Sequence, residues 1–228
     1  MIEEREEKIK IRVPGAGEAY GISWSILRKN FLELLLVMVL LGVLSMPGAY
    51  YGNQSQQLRF DFVSYLFSLA YMFLIYLPVN YGVAYAYLKA VKGEKVKATD
   101  IFKSFDNFWN VVLGNLLTGA IIAFGIVLFI LPGLYFLSRL LFVPYYLVDK
   151  KMEAIDAIKT SWENTKGYSP RIFSILLLGI PVGILGLLCL GVGVIVSVML
   201  IMTTIAYFYN IVDHNQTIIN ESNIENNG

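Results

Sequence analysis

Charged residues, cysteine and histidine are all scarce in this chain of 228 residues. Charged residues make up 15% of it, compared with about a quarter of an ordinary soluble domain. The single cysteine, Cys189, excludes an intramolecular disulfide, and the single histidine, His214, lacks the clustered ligands that a metal site needs. A net charge of +1 gives no electrostatic reason to expect nucleic acid as a partner.

Groupings of residues that support catalysis are missing as well. Nucleophilic catalysis requires a nucleophile beside a base, but Cys189 lies in an apolar run and His214 in a polar tail. The segment Gly15-Ala16-Gly17 is not followed by the Lys-Ser/Thr pair of a phosphate-binding loop. We therefore predict no catalytic residues, no metal and no cofactor.

Apolar residues are abundant instead. They make up 57% of the chain, compared with about 45–50% of a soluble domain, and the mean hydropathy is +0.61. The surplus is too large for a water-soluble core of this length, so it must face lipid. A membrane-spanning helix needs about 20 apolar residues. Six runs approach this length, namely 31–50, 62–88, 110–131, 133–148, 172–188 and 193–212.

Short turns separate these runs in pairs. Pro132-Gly133 divides the third run from the fourth, and Gly191 and Gly193 divide the fifth from the sixth. One helix through such a pair, about 40 residues long, would reach roughly 60 Å, twice the hydrocarbon thickness. The sequence predicts an all-α polytopic membrane helix bundle over residues 19–213, with six spans arranged as three hairpins. Residues 1–18 and 214–228 are predicted to be polar cytoplasmic tails.

The basic residues indicate the orientation of the bundle. Sixteen of the 18 lysines and arginines lie within residues 1–30, 89–103 and 150–171, which share one side of the six-span arrangement. The exceptions are Arg59, in an outer loop, and Arg139, inside a span. The positive-inside rule makes the basic side cytoplasmic. We expect a multi-pass protein of the cell (inner) membrane with both termini inside and membrane lipids as partners.

A segment with amphipathic character precedes each hairpin. Helical spacing groups Tyr20, Trp24, Leu27 and Phe31 in the first segment, Ile101, Phe105, Phe108 and Trp109 in the second, and Ile155, Ile158, Trp162 and Thr165 in the third. Such helices can lie in the membrane interface with aromatic rings at headgroup depth. We predict cytoplasmic interfacial helices at 99–109 and 153–166, with Trp24, Phe105, Trp109 and Trp162 as anchors. The alternative is that these segments are cytoplasmic extensions of the spans.

The same segments indicate a weak threefold repeat. A serine followed by an aromatic residue occurs in each, as Ser23-Trp24, Ser104-Phe105 and Ser161-Trp162. The repeating unit would be an interfacial helix, an outgoing span, a tight outer turn and a returning span.

Arg139 is a charge inside a predicted span. A charge at mid-membrane costs about 2.5–3.5 kcal/mol on insertion scales, so it usually faces the bundle or a wet cavity. The residues predicted to form an intramembrane polar cluster are Arg139, Asn80, Tyr81, Asn115, Thr118 and Ser138. Two interpretations are open: a pocket for an anionic headgroup or solute, or a structural arginine bonded to Asn80, to tyrosines and to carbonyls freed by Pro78. We expect Arg139 to contact the second span near Asn80 or Tyr81.

The most informative stretch runs from Pro132 to Phe173 and reads PGLYFLSRLLFVPYYLVDKKMEAIDAIKTSWENTKGYSPRIF. Its motif positions are Pro132, Gly133, Arg139, Phe142, Pro144, Ala157, Ser161, Thr165 and Gly167, and the opening Ser23-Trp24 to Asn30-Phe31 fits the same pattern. This resembles a broad group of uncharacterised bacterial and archaeal six-span proteins related to the membrane domain of glycerophosphoryl diester phosphodiesterases. The resemblance implies a topology but no activity, and the chain carries no phosphodiesterase domain.

Three functions compete. The first is a non-enzymatic membrane scaffold or lipid- or partner-binding module, with a protein partner or a second copy of the chain as further partners. The second is a small transporter or permease subunit with an anion- or headgroup-binding pocket at Arg139. The third, an intramembrane enzyme using Glu33, lacks a partner acid or metal site. Polar residues are sparse toward the outer ends of the spans, which disfavours a transport path and favours the first.

Overall fold

The computed structural model describes residues 11–54, 62–128, 130–189 and 192–227, and over these residues all regular structure is helical. The first half contains α1 (Ala16–Lys29), α2 (Phe31–Gln54), α3 (Phe62–Tyr71), a π-helical turn (Met72–Tyr76), α4 (Leu77–Val91) and a 3-10 segment (Ala98–Asn107). The second half contains α5 (Phe108–Leu128), α6 (Ile130–Leu140), α7 (Val143–Val148), α8 (Ala154–Asn164), α9 (Ser169–Leu188) and α10 (Val192–Asn227).

Four stretches of the described chain are helical, long and apolar enough to cross a membrane. They are Tyr65–Val91, Ala98–Val127, Ser169–Leu188 and Gly193–Ile219. A fifth is present if Ala16–Lys29 and Phe31–Pro47, which meet at 89°, count as one bent span. The prediction of an all-helical membrane protein is therefore confirmed at the level of four to five candidate spans.

The predicted fourth span, 133–148, is not one helix. It is divided into α6 and α7 by a turn at Leu141 and Phe142. Pro144 lies at the start of α7, and proline has no N–H for the carbonyl four residues earlier and collides with it. The π-helical turn before Pro78 has the same cause, because the extra residue in that turn accommodates the proline.

The predicted polar tails contain regular structure. Helix α1 already begins at Ala16, and α10 continues through the predicted tail as far as Asn227. The side chain of Asn215, 3% exposed, explains the start of this extension. It accepts a hydrogen bond from the Ile11 backbone N–H (2.8 Å) and donates one to the Ile11 carbonyl (2.9 Å). The start of the described chain is thus joined to α10.

The amphipathic segments pack in a repeating way. The 3-10 segment packs on α4, α8 packs on α6 and α7, and α1 packs on α10. The serines of the three Ser-aromatic pairs, Ser23, Ser104 and Ser161, are each 0% exposed. The 3-10 segment and α8 therefore each lie against helices that precede them in the chain, and α1 lies against the last helix, α10.

Two ion pairs connect successive units at their predicted cytoplasmic ends. Lys92, just after α4, pairs with Asp149, just after α7, at 2.8 Å. Lys150 pairs in the same way with Asp213 of α10, at 2.5 Å. Beneath them, Tyr145 stacks on Tyr209 with ring centroids 4.7 Å apart. The core is therefore aromatic at the end where the basic residues gather.

Candidate functional site

The backbone carbonyl of Arg139 is the meeting point of the motif residues. It accepts a hydrogen bond from Ser161 Oγ at 2.8 Å, and it lies 3.2 Å from Thr165 Oγ1, which also donates to the Ser161 carbonyl at 2.7 Å. Helix α6 ends at Leu140, so the carbonyls of its last turn have lost their usual donors in the following turn. The hydroxyls of Ser161 in α8 and of Thr165, which directly follows α8, supply donors in their place.

A face of small residues lets α8 come close enough to make these bonds. Ala154, Ala157, Ser161 and Thr165 are all buried, whereas Ile155 is 59% exposed. The predicted face of Ile155, Ile158, Trp162 and Thr165 therefore joins an exposed residue, Ile155, to a buried one, Thr165. Close approach of two helices favours small side chains over large ones, so Ile155 lies outside the contact, whereas Ile158 and Trp162 pack partly against the core. Gly167, with φ +86°, then turns the chain toward α9.

The guanidinium of Arg139 lies among aromatic rings. Its central carbon is 4.8 Å from the ring centre of Trp162 and 5.7 Å from that of Tyr135. Trp162 also contacts the ring of Phe136, at 5.8 Å between centroids. Electron-rich ring faces stabilise a cation when water is excluded. Arg139 is only 4% exposed, so these contacts hold its charge inside the protein.

No hydrogen-bond acceptor accompanies this cation within the described part of the chain. The Nε atom is fully enclosed and unpaired, and none of the guanidinium N–H groups donates to a described residue. Thr118 Oγ1 on α5 is likewise enclosed and unpaired. Gly125 contacts Phe136 and Gly114 contacts Leu147 across the α5–α6–α7 packing, so the intervening Thr118 lies near the level of the α6 end. Two unsatisfied polar groups therefore occur at a similar height.

The predicted polar cluster divides into separate parts. Asn115 Nδ2 donates to Tyr81 Oη at 3.2 Å, which connects α5 to α4. Ser138 Oγ bonds within its own helix, to the Tyr135 carbonyl at 2.7 Å. Asn80 is half-buried and has no hydrogen bond to a described residue.

We expected Arg139 to contact the second span near Asn80 or Tyr81. Among the described residues no hydrogen bond joins Arg139 to either of them, so in this respect the prediction is wrong. The break before Pro144 explains the difference. Helix α6 packs on α5, α8 and α9, whereas α4 packs on α7, beyond the break. Arg139 also lies at the level of α8, because its carbonyl bonds two α8 side chains. The alternative of a structural arginine satisfied by Asn80 and tyrosine hydroxyls therefore loses its proposed acceptors.

The predicted interfacial anchors behave in two ways. Trp24, Phe105 and Trp109 are 44%, 38% and 74% exposed, as outward-facing anchors should be. Trp162 is half-buried and turned toward Arg139, so its role as an anchor stays a prediction.

Two supporting asparagines were missed by the sequence reasoning. Asn107 Nδ2 lies 3.0 Å from the Leu147 carbonyl and 2.9 Å from the Met152 carbonyl. Asn110 Oδ1 accepts from the Ala154 N–H at 3.2 Å. Together they fix the connection between α7 and α8, which lies between Arg139 and Ser161 in the chain. Their spacing of three residues at the start of α5 is a weak signal that only the structure explains.

Among the residues described, no three His, Cys, Asp or Glu side chains are grouped so that they could hold a metal ion. No protein-family model matches the chain, and no curated protein and no solved structure matches it either.

Proposed function

We propose that the protein is a non-enzymatic integral membrane protein that acts as a lipid-binding scaffold on the inner leaflet of the cell membrane. The observation that carries this proposal is the two-sided character of the amphipathic segments. Each buries apolar or small side chains against the bundle, whereas α1 and the 3-10 segment leave aromatic rings outside and α8 leaves Ile155 outside. An exposed apolar face next to apolar helices is typical of a segment that lies in the interface.

Charge on the same segments supports this location. The last turn of α1 carries Arg28 and Lys29 beside the exposed Trp24. The 3-10 segment has Lys103 between the exposed rings of Phe102 and Phe105. Basic residues next to interfacial aromatic rings favour anionic lipids of the inner leaflet. The two contributions, apolar burial and electrostatic attraction, act at the same surface.

The finer topology is part of the same proposal: six spans in three hairpins with both termini in the cytoplasm. Glycine contacts support two of the outer turns. A methyl on Gly125 would lie 3.0 Å from Gly133 Cα, and one on Gly186 would lie 2.7 Å from the Gly193 carbonyl oxygen. These glycines let α5 approach α6, and α9 approach α10, near their connecting turns. The concentration of lysine and arginine at the opposite ends sets the orientation.

The depth of the anchors can be measured with brominated lipids. In Trp162→Phe, the remaining tryptophans, Trp24 and Trp109, should be quenched most by bromines near the headgroup and less by bromines near the bilayer centre. The matched control is Trp24→Phe/Trp109→Phe, which leaves the half-buried Trp162 and should be quenched less at every depth. Strongest quenching from the bilayer centre in the first variant would contradict the interfacial placement.

Cysteine accessibility tests the topology separately. With the exposed Cys189 replaced by serine, a membrane-impermeant thiol reagent applied to intact cells should label Gln56→Cys. It should not label Lys95→Cys or Glu163→Cys until the membrane is opened. Labelling of Lys95→Cys in intact cells would overturn the orientation, and with it the inner-leaflet scaffold.

A further inference from the structure

The buried guanidinium of Arg139 requires a partner that the described protein does not provide. Removing an unpaired charge from water costs several kcal/mol, so buried charges are normally paired and hydrogen-bonded. Arginine is charged at any ordinary pH and offers five N–H donors. At this position they meet no carboxylate in the described ion pairs and no acceptor among the described residues.

The aromatic contacts indicate which kind of partner the Arg139 guanidinium lacks. Trp162 and Tyr135 stabilise the positive charge, but ring faces do not replace oxygen acceptors in the plane of the guanidinium. The edge of the guanidinium is therefore the part that remains to be bonded. A planar fork of N–H donors fits the oxygens of a phosphate or carboxylate in a bidentate way.

One side of this site faces outward. Tyr135, which covers the guanidinium, is itself 47% exposed, whereas Ser138 and Leu140 beside Arg139 are 2% exposed. A ligand would therefore approach along the Tyr135 side of α6. The level of the site is that of α8, whose Ser161 and Thr165 bond the Arg139 backbone.

We propose that Arg139, Trp162 and Tyr135 form a binding site for a phosphate-type oxyanion, which accepts hydrogen bonds from the guanidinium edge. Two sources offer this chemistry: the headgroup of an anionic phospholipid and free phosphate from the cytoplasm. The choice of source rests on the proposed inner-leaflet location, but the site itself does not. Thr118 on α5 is a candidate for a second donor, since its enclosed hydroxyl has no partner among the described residues either.

The test uses the full chain in detergent micelles after removal of bound lipid. Trp24→Phe/Trp109→Phe leaves Trp162, beside the guanidinium, as the only tryptophan reporter. The probes are dioleoylphosphatidylglycerol, dioleoylglycerol, which has the same acyl chains without phosphate, and inorganic phosphate. We expect a saturable change in Trp162 emission with the phospholipid and none with dioleoylglycerol. A response to inorganic phosphate alone at low concentration would support the site and assign it to a soluble anion.

Variants then connect the response to the arginine. Arg139→Leu should weaken binding by about tenfold or more, because a hydrogen bond to a charged group contributes roughly 1.5–3 kcal/mol. Arg139→Lys keeps the charge and should recover only part of the affinity, because an ammonium cannot form the fork. The matched control is Arg171→Leu, an exposed arginine in the first turn of α9, which should change binding by less than about twofold.

The proposal is overturned if neither anion changes Trp162 emission, if Arg139→Lys binds as tightly as the parent, or if Arg171→Leu weakens binding equally. Should Arg139→Leu fail to fold, the parent titration and Arg139→Lys still decide. Because micelles contain no bilayer, the result is independent of where the amphipathic segments lie. Failure here leaves the scaffold proposal intact, and failure of the quenching experiment leaves the anion site intact.

Discussion

At the scale of single residues, Gly82 shows how closely the units approach. A methyl group at this position would overlap the backbone carbonyl of Ile101 in the 3-10 segment. Neither backbone can withdraw without separating α4 from that segment. Glycine is needed here because only it leaves room for the Ile101 carbonyl, although glycine lowers the stability of the helix itself.

We therefore expect Gly82→Ala to lower the free energy of unfolding by about 2 kcal/mol, as overpacking in a tight core does. The matched control is Gly119→Ala, since a methyl at Gly119 meets no atom within 4 Å. Alanine is the better helix former, so this control should be neutral or stabilising by up to about 1 kcal/mol. Thermal melting of the purified variants checks both. Equal melting temperatures for the two variants would contradict the close approach.

Two further residues, Gly93 and Lys151, have left-handed backbone conformations, with φ +72° and +50°. They occupy matching places, each following a lysine that pairs across units, Lys92 and Lys150. Only glycine adopts this conformation freely, and other residues lose roughly 1–2 kcal/mol. The turn that follows Lys92 therefore has the favoured glycine, Gly93, whereas the turn that follows Lys150 has a lysine, Lys151, in the same conformation.

Gly93→Ala should accordingly destabilise the protein by about 1 kcal/mol. Lys151→Gly should be neutral or slightly stabilising, because strain is relieved while the exposed pair of Lys151 with Asp106 contributes little. Thermal denaturation in detergent measures both. A lower melting temperature for Lys151→Gly than for Gly93→Ala would show that the lysine is needed for its contact and that strain is secondary.

At the scale of elements, the turn between α6 and α7 leaves the Arg139 carbonyl without a backbone donor, and side chains at the end of α8 donate to it instead. Ser161 Oγ donates to the Arg139 carbonyl at 2.8 Å, and Thr165 Oγ1 shares its proton between this carbonyl at 3.2 Å and the Ser161 carbonyl at 2.7 Å, so either hydroxyl alone can still satisfy the Arg139 carbonyl. Ser161→Ala and Thr165→Val should each cost about 1 kcal/mol. The double variant should cost more than the sum, because a buried carbonyl left without a donor carries the full desolvation penalty.

A double-mutant cycle of unfolding free energies measures this coupling. The control is Ser174→Ala on α9, whose exposed hydroxyl bonds only its own helix at Pro170, and it should change stability little. Strict additivity of the Ser161 and Thr165 effects would mean that the hydroxyls do not share an acceptor.

The elements also show what the sequence could predict. Apolar length identifies the four to five candidate spans, because it depends on composition along one segment. The orientation taken from the basic residues stays a prediction. The contact of Arg139 was mispredicted because depth along a straight span was used, and Pro144 breaks that span. The contact of Trp162 with Arg139 was not predicted, because helical spacing does not tell which face of α8 packs on the bundle; the small buried residues Ala157 and Ser161 decide that.

At the scale of the whole molecule, the three units are joined by equivalent contacts. Tyr145 and Asp149 are four residues apart, and so are Tyr209 and Asp213. Each aspartate accepts an ion pair from a lysine of the preceding unit, Lys92 or Lys150. This repetition of Tyr-x-x-x-Asp is a sequence signal for the threefold repeat, but its significance is recognisable only once the ion pairs of the two aspartates are known. The pairs act as links between units rather than within them.

Charge reversal should therefore distinguish links between units from pairs within one segment. Lys150→Asp should lower the melting temperature, since it places two carboxylates together at a half-buried position next to Asp213, whose side chain is 19% exposed. Lys150→Asp/Asp213→Lys restores opposite charges and should recover most of the loss. Recovery will be incomplete because Lys150 also lies over the Tyr146 ring.

The matched control is Lys103 and Asp106, an exposed pair three residues apart in one segment. Reversing Lys103 should cost only a few tenths of a kcal/mol, about the value of an exposed pair. If Lys150→Asp is as mild as Lys103→Asp, or if the double variant recovers nothing, the ion pair does not hold the second and third units together.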